Sequence, residues 1–393
     1  MPSPPVDPRR AALWTHDFLL LLGSNVVFYM SFQLLLVSMP LYVVYLGGDA
    51  ATAGLVTGLF TLTAMLVRPL TGWALDAYGR RNLWLLGIFT CLVLVLAQQW
   101  AATLVALIAL RMVNGLGFGV ATTAGGTIAA DLVPKSRLGE GMGFVGVTMG
   151  IPLAIAPPLG LWLAGRGEYT DIFWLGALFT AISLALAAML RGPAEPREIT
   201  PVRSGLSSMF ERTALYPSAL MFLLISSFGL ILALLALYGK ERGLGSVGIW
   251  FTVYAVVLTL ARSLGGRLSD RIGYRQTAVA GFVFAGAGLV AIAMSHDLPI
   301  LLASAVLYGI GYGTTQPSLQ AMVVSRAPAG RVGAATAVLF FSYDLGTTIG
   351  SVGGGLLAGV IGMGGAFAFS VVGPVIGIGI LVGDIWRRGR VRA

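Results

Sequence analysis

Charge is scarce in this chain, and so are cysteine, histidine and lysine. Of its 393 residues 10% are charged, where an ordinary globular domain has about 25%. With 57% apolar residues the polar side chains are too few to cover a soluble globule. One cysteine, Cys91, and two histidines, His16 and His296, exclude a disulfide framework and a Cys/His metal centre, so no metal ligand set is expected. The two lysines, Lys135 and Lys240, sit in no Gly-Lys-Ser/Thr loop, which excludes a Walker phosphate site. Gly-x-Ser-x-Gly and His-Glu-x-x-His are absent too, and the deep apolar runs hold no histidine and one acid. A membrane-embedded acyl or glycosyl transferase would lack its nucleophile and its acid/base pair, so no catalytic residue is expected.

What the chain has in quantity is apolar residues and glycine, 54 of the latter, without a Gly-X-Y period. Glycine is frequent in membrane helices, where it lets backbones approach. A crossing helix needs about 20 apolar residues. Twelve such runs are predicted: 17–46, 51–75, 82–99, 102–130, 138–164, 172–190, 215–238, 247–268, 277–295, 299–324, 332–360 and 366–386. The first is too long for a signal-peptide core, and Pro2, Pro4, Pro5, Asp7 and Pro8 precede it with no small-residue cleavage pattern, so it is expected to stay in the mature protein. The net charge of +9 does not spread along one face as a nucleic-acid binder's would; the basic residues fall in clusters between apolar runs. With the N-terminus in the cytoplasm, 19 of the 25 basic residues lie inside, and Arg166, Lys240 and Arg242 lie outside. The remaining three, Arg68, Arg111 and Arg262, fall within runs.

The polar stretch from Arg191 to Arg212 divides the chain. The expected organisation is a six-helix bundle over 1–190, a cytoplasmic loop over 191–213 and a second six-helix bundle over 214–393. An internal repeat supports it. Arg68, Gly72, Asp76 and Gly79 recur 194 residues later as Arg262, Gly266, Asp270 and Gly273. Gly115, Gly117 and Gly119 recur as Gly309, Gly311 and Gly313, and Pro134 and Arg137 as Pro328 and Arg331. One shift through three elements means two copies, and an even number of spans per copy keeps them parallel.

The segments Gly72-Trp-Ala-Leu-Asp76-Ala-Tyr-Gly79-Arg80-Arg81 and Gly266-Arg-Leu-Ser-Asp270-Arg271-Ile-Gly273 resemble the signature loop of the major facilitator superfamily, and the resemblance extends over the whole chain. It implies an all-α integral membrane fold of twelve helices in two pseudo-symmetric bundles. It also implies a cytoplasmic gate built from Gly72, Asp76, Gly79, Arg80, Arg81, Gly266, Asp270, Arg271 and Gly273; the plainer role of its charges is positive-inside topology. Arg111-Met-Val-Asn114-Gly115 is similar to the family's second motif, whose arginine is linked to proton coupling. Gly143 to Gly160 resembles the antiporter motif, with Pro152 and Ala156 where glycines are usual. Arg68-Pro69, Val247-Gly-Ile-Trp-Phe-Thr and Asp344-Leu-Gly are similar to segments of opine-metallophore exporters of the staphylopine type. No acid lies within the first span, Asp17 standing only at its start, which departs from many drug:proton antiporters of the family.

Ionisable groups inside a bilayer are costly and mark function. Asp344 lies 12 residues into the eleventh run, near the midplane at about 1.5 Å per residue. Two readings stand: a proton- or cation-coupling site, or a fixed ion pair between helices. In the resembled fold spans 2 and 11 face one another, so Arg68, eight residues before Asp76, is expected to reach Asp344 as an interdomain latch. Arg111 has no basic repeat mate and is read as a coupling partner of Asp344 or an anion-binding residue, or else as a donor to helix carbonyls. Arg262 reads as a structural, snorkelling arginine. The resemblance places spans 1, 4, 7 and 10 around a central cavity, so Asn25, Tyr29, Gln33, Arg111, Asn114, Tyr308, Tyr312, Gln316 and Gln320 are candidate substrate contacts; interhelical hydrogen bonding is the alternative for each.

The expected function is a proton-coupled exporter, an antiporter of a small drug-like, zwitterionic or anionic metabolite, with an importer, a facilitative carrier or a non-transporting sensor as alternatives. It needs no cofactor beyond the proton gradient. The expected partners are the lipid bilayer and a small-molecule substrate, with no nucleic acid, and the expected state is a monomer in a bacterial inner membrane with both termini cytoplasmic.

Overall fold

The computed structural model describes residues 13–134, 137–191, 211–328 and 331–392; the side chains of 73, 76, 77, 138–140, 263, 264, 266, 267, 270, 332, 333 and 388–392 lie outside the description. The described chain is helical, with no strand among those residues. In order, the helices are α1 (His16–Tyr45), α2 (Ala50–Tyr78), α3 (Arg80–Gln98), α4 (Leu104–Leu132), α5 (Leu138–Gly165), α6 (Tyr169–Met189), α7 (Leu215–Glu241), α8 (Gly248–Ile272), α9 (Tyr274–Ala293), α10 (Leu298–Arg326), α11 (Val332–Ser370) and α12 (Val372–Arg392). Ten helical stretches among the described residues are long and apolar enough to cross a membrane, the last of them, Ala334–Arg387, containing both α11 and α12. The protein is therefore a multi-pass membrane protein. The range of α11 is interrupted at Gly362, whose φ of 76° and ψ of 162° are not helical and form a combination that only glycine adopts readily; the break lies two residues past the run end read from the sequence.

Local chemistry sets the helix ends. Thr103 accepts the Ala106 N–H at 3.2 Å to begin α4, and Asp297 accepts the Ile300 N–H at 2.9 Å to begin α10, with Pro299 in the first turn. Asp49 begins α2 by accepting from both the Thr52 N–H (2.8 Å) and the Thr52 hydroxyl (2.7 Å), and these bonds hold its carboxyl below the usual carboxylate range. The turns between α2 and α3 and between α8 and α9 each pivot on one glycine, Gly79 at φ 84° and Gly273 at φ 92°. The repeated signature glycine thus has a backbone reason: it lets two long helices reverse with no intervening loop.

The 194-residue repeat is reproduced in the packing. A Cβ added at Gly119 would meet the Ala64 backbone, and one at Gly313 would meet the Leu258 carbonyl at 2.9 Å and Ala261; Leu258 is the repeat mate of Ala64. Gly117 abuts Cys91, while Gly311 abuts Ala285, the mate of Cys91. Gly87 lies against Ala121, and its mate Gly281 lies against Thr315, the mate of Ala121. The glycine clusters are close-contact points that bring α4 onto α2 and α3 and, in the second copy, α10 onto α8 and α9.

The chain forms two compact units, and they do not follow the central loop alone. The first comprises residues up to Leu35, Thr63–Ala156 and Glu168–Pro201, with a core of Phe18, Leu21, Phe28, Trp84, Ile88 and Ile128. The second joins Val202–Ala393 to Leu36–Leu62 and Pro157–Gly167, so it takes in the end of α1, the start of α2 and the end of α5. At its centre is α7, whose residues from Ser227 to Gly239 are all buried. Within this unit the start of α2 lies backbone to backbone on α11: a Cβ at Gly355 would meet the Ala50 carbonyl at 2.7 Å and the Gly54 Cα at 3.1 Å, and the Thr61 and Thr348 hydroxyls bond at 2.8 Å. Gly248 of α8 sits equally close to Pro158 of α5.

Candidate functional site

Each unit carries one arginine at the same place in the repeat. In the first unit the half-buried Arg68 of α2 donates from Nη1 to the Thr122 hydroxyl of α4 at 3.5 Å. Thr122 also borders a cavity of about 50 Å³ lined by Asn25, Phe28, Tyr29, Trp84, Val145 and Met149 among others, room for a water or two. Gly125 leaves the space that lets Trp84 close the cavity wall; its missing Cβ would stand 3.0 Å from the indole nitrogen and 3.6 Å from the Asn25 amide oxygen. Of the expected substrate contacts, Asn25 and Tyr29 line this cavity.

Arg111 and Asn114 do not line it. Arg111 is 1% exposed, its Nη1 is 3.5 Å from the Asn114 amide oxygen, and it interacts electrostatically with the buried Cys91 of α3. The amide nitrogen of Asn114 is buried with no hydrogen-bond partner, as is the amide oxygen of Gln33 on α1. Arg111 therefore sits inside the α3–α4 contact, and the acceptor beside it is the side-chain amide oxygen of Asn114 rather than a helix carbonyl.

In the second unit the repeat mate of Arg68 behaves differently. Arg262 of α8 donates from Nη2 to the Gln316 amide oxygen of α10 at 2.5 Å, and Gln316 is itself the mate of Thr122. Arg262 is exposed, and Gln320, one turn beyond Gln316, is exposed as well. Beside them is an aromatic core that composition could not place: Phe228 of α7, Trp250 and Tyr254 of α8, and Tyr308 and Tyr312 of α10, with Trp250 stacked on Tyr254 at 5.1 Å. Tyr308 and Tyr312 are enclosed, and their hydroxyls bond to Ser227 (2.9 Å) and Tyr343 (3.1 Å); Trp250 donates to Ser304 at 2.8 Å. Here Tyr308 and Tyr312 serve as satisfied interhelical packing. Asp344 follows Tyr343 on α11, is half-buried, and its carbonyl accepts from Thr348 at 2.9 Å.

At the expected cytoplasmic gate, Arg80 forms an ion pair with Asp131 at the end of α4, and Arg81 donates to the Ala188 carbonyl of α6 at 2.7 Å. Gly72 faces open space and Arg271 is exposed. The side chains of Asp76, Gly266 and Asp270 lie outside the described residues. In the second unit Asp384 of α12 gathers Arg275 (2.5 Å), Arg326 (3.7 Å) and the Tyr216 hydroxyl (3.3 Å), with Arg326 stacked over the Tyr216 ring at 4.5 Å. Glu211, just before α7, accepts from the Thr213 N–H and hydroxyl and pairs with Arg331 at 2.9 Å. The backbone N–H first, then the hydroxyl and the guanidinium, hold its carboxyl below the usual range. Sequence reasoning missed Asp131 and Asp384 as partners; Asp131 stands at the end of α4 and Asp384 within α12, each a few residues before a basic cluster in the sequence, a signal of pairing that a motif search does not score.

A repeated helical pattern with an arginine at one matched position in each copy defines the class, a multi-pass membrane transporter. The Major Facilitator Superfamily profile matches residues 21–248 and 220–391, and the chain belongs to that family. It is 24% identical over 357 residues to an uncharacterized MFS-type transporter of Methanocaldococcus jannaschii, covering 87% of this chain and 91% of that protein. An uncharacterized MFS-type transporter of Burkholderia pseudomallei is 26% identical over 390 residues, 95% of this chain and 93% of the relative. Among solved structures, the nucleoside transporter NupG superposes with a TM-score of 0.76 at 15% identity, over 94% of this chain and 99% of that one. A POT family transporter in complex with 5-aminolevulinic acid gives 0.79 at 14% identity, over 96% of each chain. At such identities the likeness is one of fold.

Proposed function

We propose that the protein is a proton-coupled exporter of a small amphipathic metabolite, working by alternating access of two six-helix halves that together span the membrane twelve times. The observation that carries the coupling is Asp344, the one carboxyl in the middle of a membrane run, half-buried on α11 next to Tyr343. A carboxyl in low dielectric holds a proton, and an approaching guanidinium releases it, so a change of surroundings can load and unload it. Arg68 is the guanidinium we assign to that exchange, the latch being closed when Asp344 is ionised and open when it is protonated. With both termini in the cytoplasm of a bacterial cell, the seam between the start of α2 and α11 lies on the outer side and forms the outer gate. Its glycines and small hydroxyls let the helices close at backbone distance and part without disentangling large side chains.

The reading is tested by reconstitution in vesicles with a pH gradient. Candidate drugs and zwitterionic metabolites are added one by one, and proton movement is followed with a pH-sensitive dye. The exporter reading predicts that at least one compound dissipates the gradient in wild-type vesicles and none does in Asp344→Asn vesicles. Flux that ignores the gradient identifies a facilitative carrier, and binding without counterflow identifies a sensor.

A further inference from the structure

Helix α8 has two exposed faces, and they are chemically opposite. Val256 and Leu260 are 51% and 61% exposed and form an apolar stripe suited to lipid. Arg262 is exposed too, yet at 100° per residue it points about 160° away from Leu260 and about 120° away from Val256. A guanidinium within a membrane helix, turned away from the lipid stripe, belongs in a water-filled space. Thr259 shares that side of α8, and across from it α10 presents Gln316, bonded to Arg262, and the exposed Gln320 one turn on. The snorkelling role expected from the sequence would leave Arg262 unattached, reaching for the membrane surface. It is tied instead to a neighbouring helix by a 2.5 Å bond.

The partner leaves most of the guanidinium available. Gln316 takes one hydrogen at Nη2, and arginine has five N–H donors in a planar fork that matches an oxyanion at two points. The local charge narrows the class of oxyanion. Tyr343 lies within electrostatic reach of both Arg262 and Asp344, so one positive and one negative group lie near the same tyrosine in the second unit. A dianionic phosphate would meet the Asp344 charge, whereas a singly charged carboxylate is matched by the two-point fork of Arg262 alone.

We infer that Arg262, oriented by Gln316, is the binding residue for the carboxylate of an organic-acid or zwitterionic substrate. This rests on the transporter reading above and moves the anion site from Arg111, which is enclosed, to Arg262, which is not.

The test uses the intact wild-type protein in detergent, treated with the arginine reagent phenylglyoxal and read residue by residue by peptide mass spectrometry. Arg262 is expected to react at a rate near that of the exposed Arg271, with Arg111 protected. Benzoate, the carboxylate probe, at about ten times its dissociation constant should slow Arg262 about tenfold by occupancy and leave Arg271 unchanged. Benzamide and inorganic phosphate should not slow it. In a second measurement benzoate raises the unfolding midpoint of the wild type and not of Arg262→Gln. The inference is overturned if Arg262 is as protected as Arg111, if benzoate gives no shielding, if phosphate shields as well as benzoate, or if both proteins gain equally in midpoint. Shielding is an equilibrium property of the purified protein, so a failure of vesicle transport would sink the proposed function and leave the carboxylate assignment standing.

Discussion

Arg68 and Arg262 occupy one position in two copies of the same helix pattern, and their surroundings part ways. Arg68 is half-buried and held by a threonine hydroxyl at 3.5 Å beside a small aromatic-walled cavity. Arg262 is exposed and held by a glutamine amide at 2.5 Å. A duplicated bundle offers two equivalent sites, and the proposed function uses them differently, one for the proton and one for the cargo. The partner position differs accordingly: Thr122 meets Arg68 through a short hydroxyl at 3.5 Å, and Gln316 meets Arg262 through a long amide at 2.5 Å.

Three experiments probe the difference between the two arginines, in descending size of effect. The largest concerns the first arginine. Arg68→Ala and Asp344→Asn should each impair gradient-driven transport to the same large degree, and the double variant should be no worse than either, because in the proposed latch both remove one interaction. Fully additive defects would dissolve the latch. An intermediate effect separates the two arginines. Gln316→Thr should cut benzoate shielding of Arg262 several-fold, whereas Arg68→Ala should leave it at the wild-type level; equal loss in both would mean that the two positions are one site. The smallest tests the shared scaffold. Gly119→Ala and Gly313→Ala should each cost about 1–3 kcal/mol of stability, since both push a methyl into a neighbouring helix. Gly72→Ala and Gly353→Ala, which face open space, should be near neutral in thermal unfolding. A large cost at one of the first pair and none at the other would show that the copies do not pack alike.

The fold was legible to a large degree because apolar run length and glycine spacing report directly on membrane helices. Helix starts fell within three residues of the predicted runs except at the twelfth, and the 194-residue repeat predicted which glycines share contacts. The end of the eleventh run was legible as well: the glycine-rich sequence 353–365 reads as a stop, and the helical backbone is interrupted at Gly362, two residues past the predicted end, before the chain resumes as helix. The site was legible as a list of residues and not as geometry. Arg68, Arg262 and Asp344 stood out because a charge in an apolar run has few explanations. Whether a tyrosine lines a cavity or fills a core depends on which helix it meets, and Tyr308 and Tyr312 carried no mark of the Ser227 and Tyr343 hydroxyls that hold them. Arg111 looked like the functional arginine because it lacks a repeat mate. That asymmetry is real, but its physical content is burial beside Cys91 and Asn114. Arg262, read from the sequence as a structural, snorkelling arginine, is the one with an exposed polar face.

The most direct measurement of the central claim is proton release by the reconstituted protein on addition of a transported compound, in wild type and in Asp344→Asn, with the outward-directed flux of that compound recorded in parallel. Antiport coupled through Asp344 requires that proton and compound move in opposite directions in the wild type and that both movements vanish in the variant. Proton-linked flux that survives Asp344→Asn at the wild-type rate would contradict it.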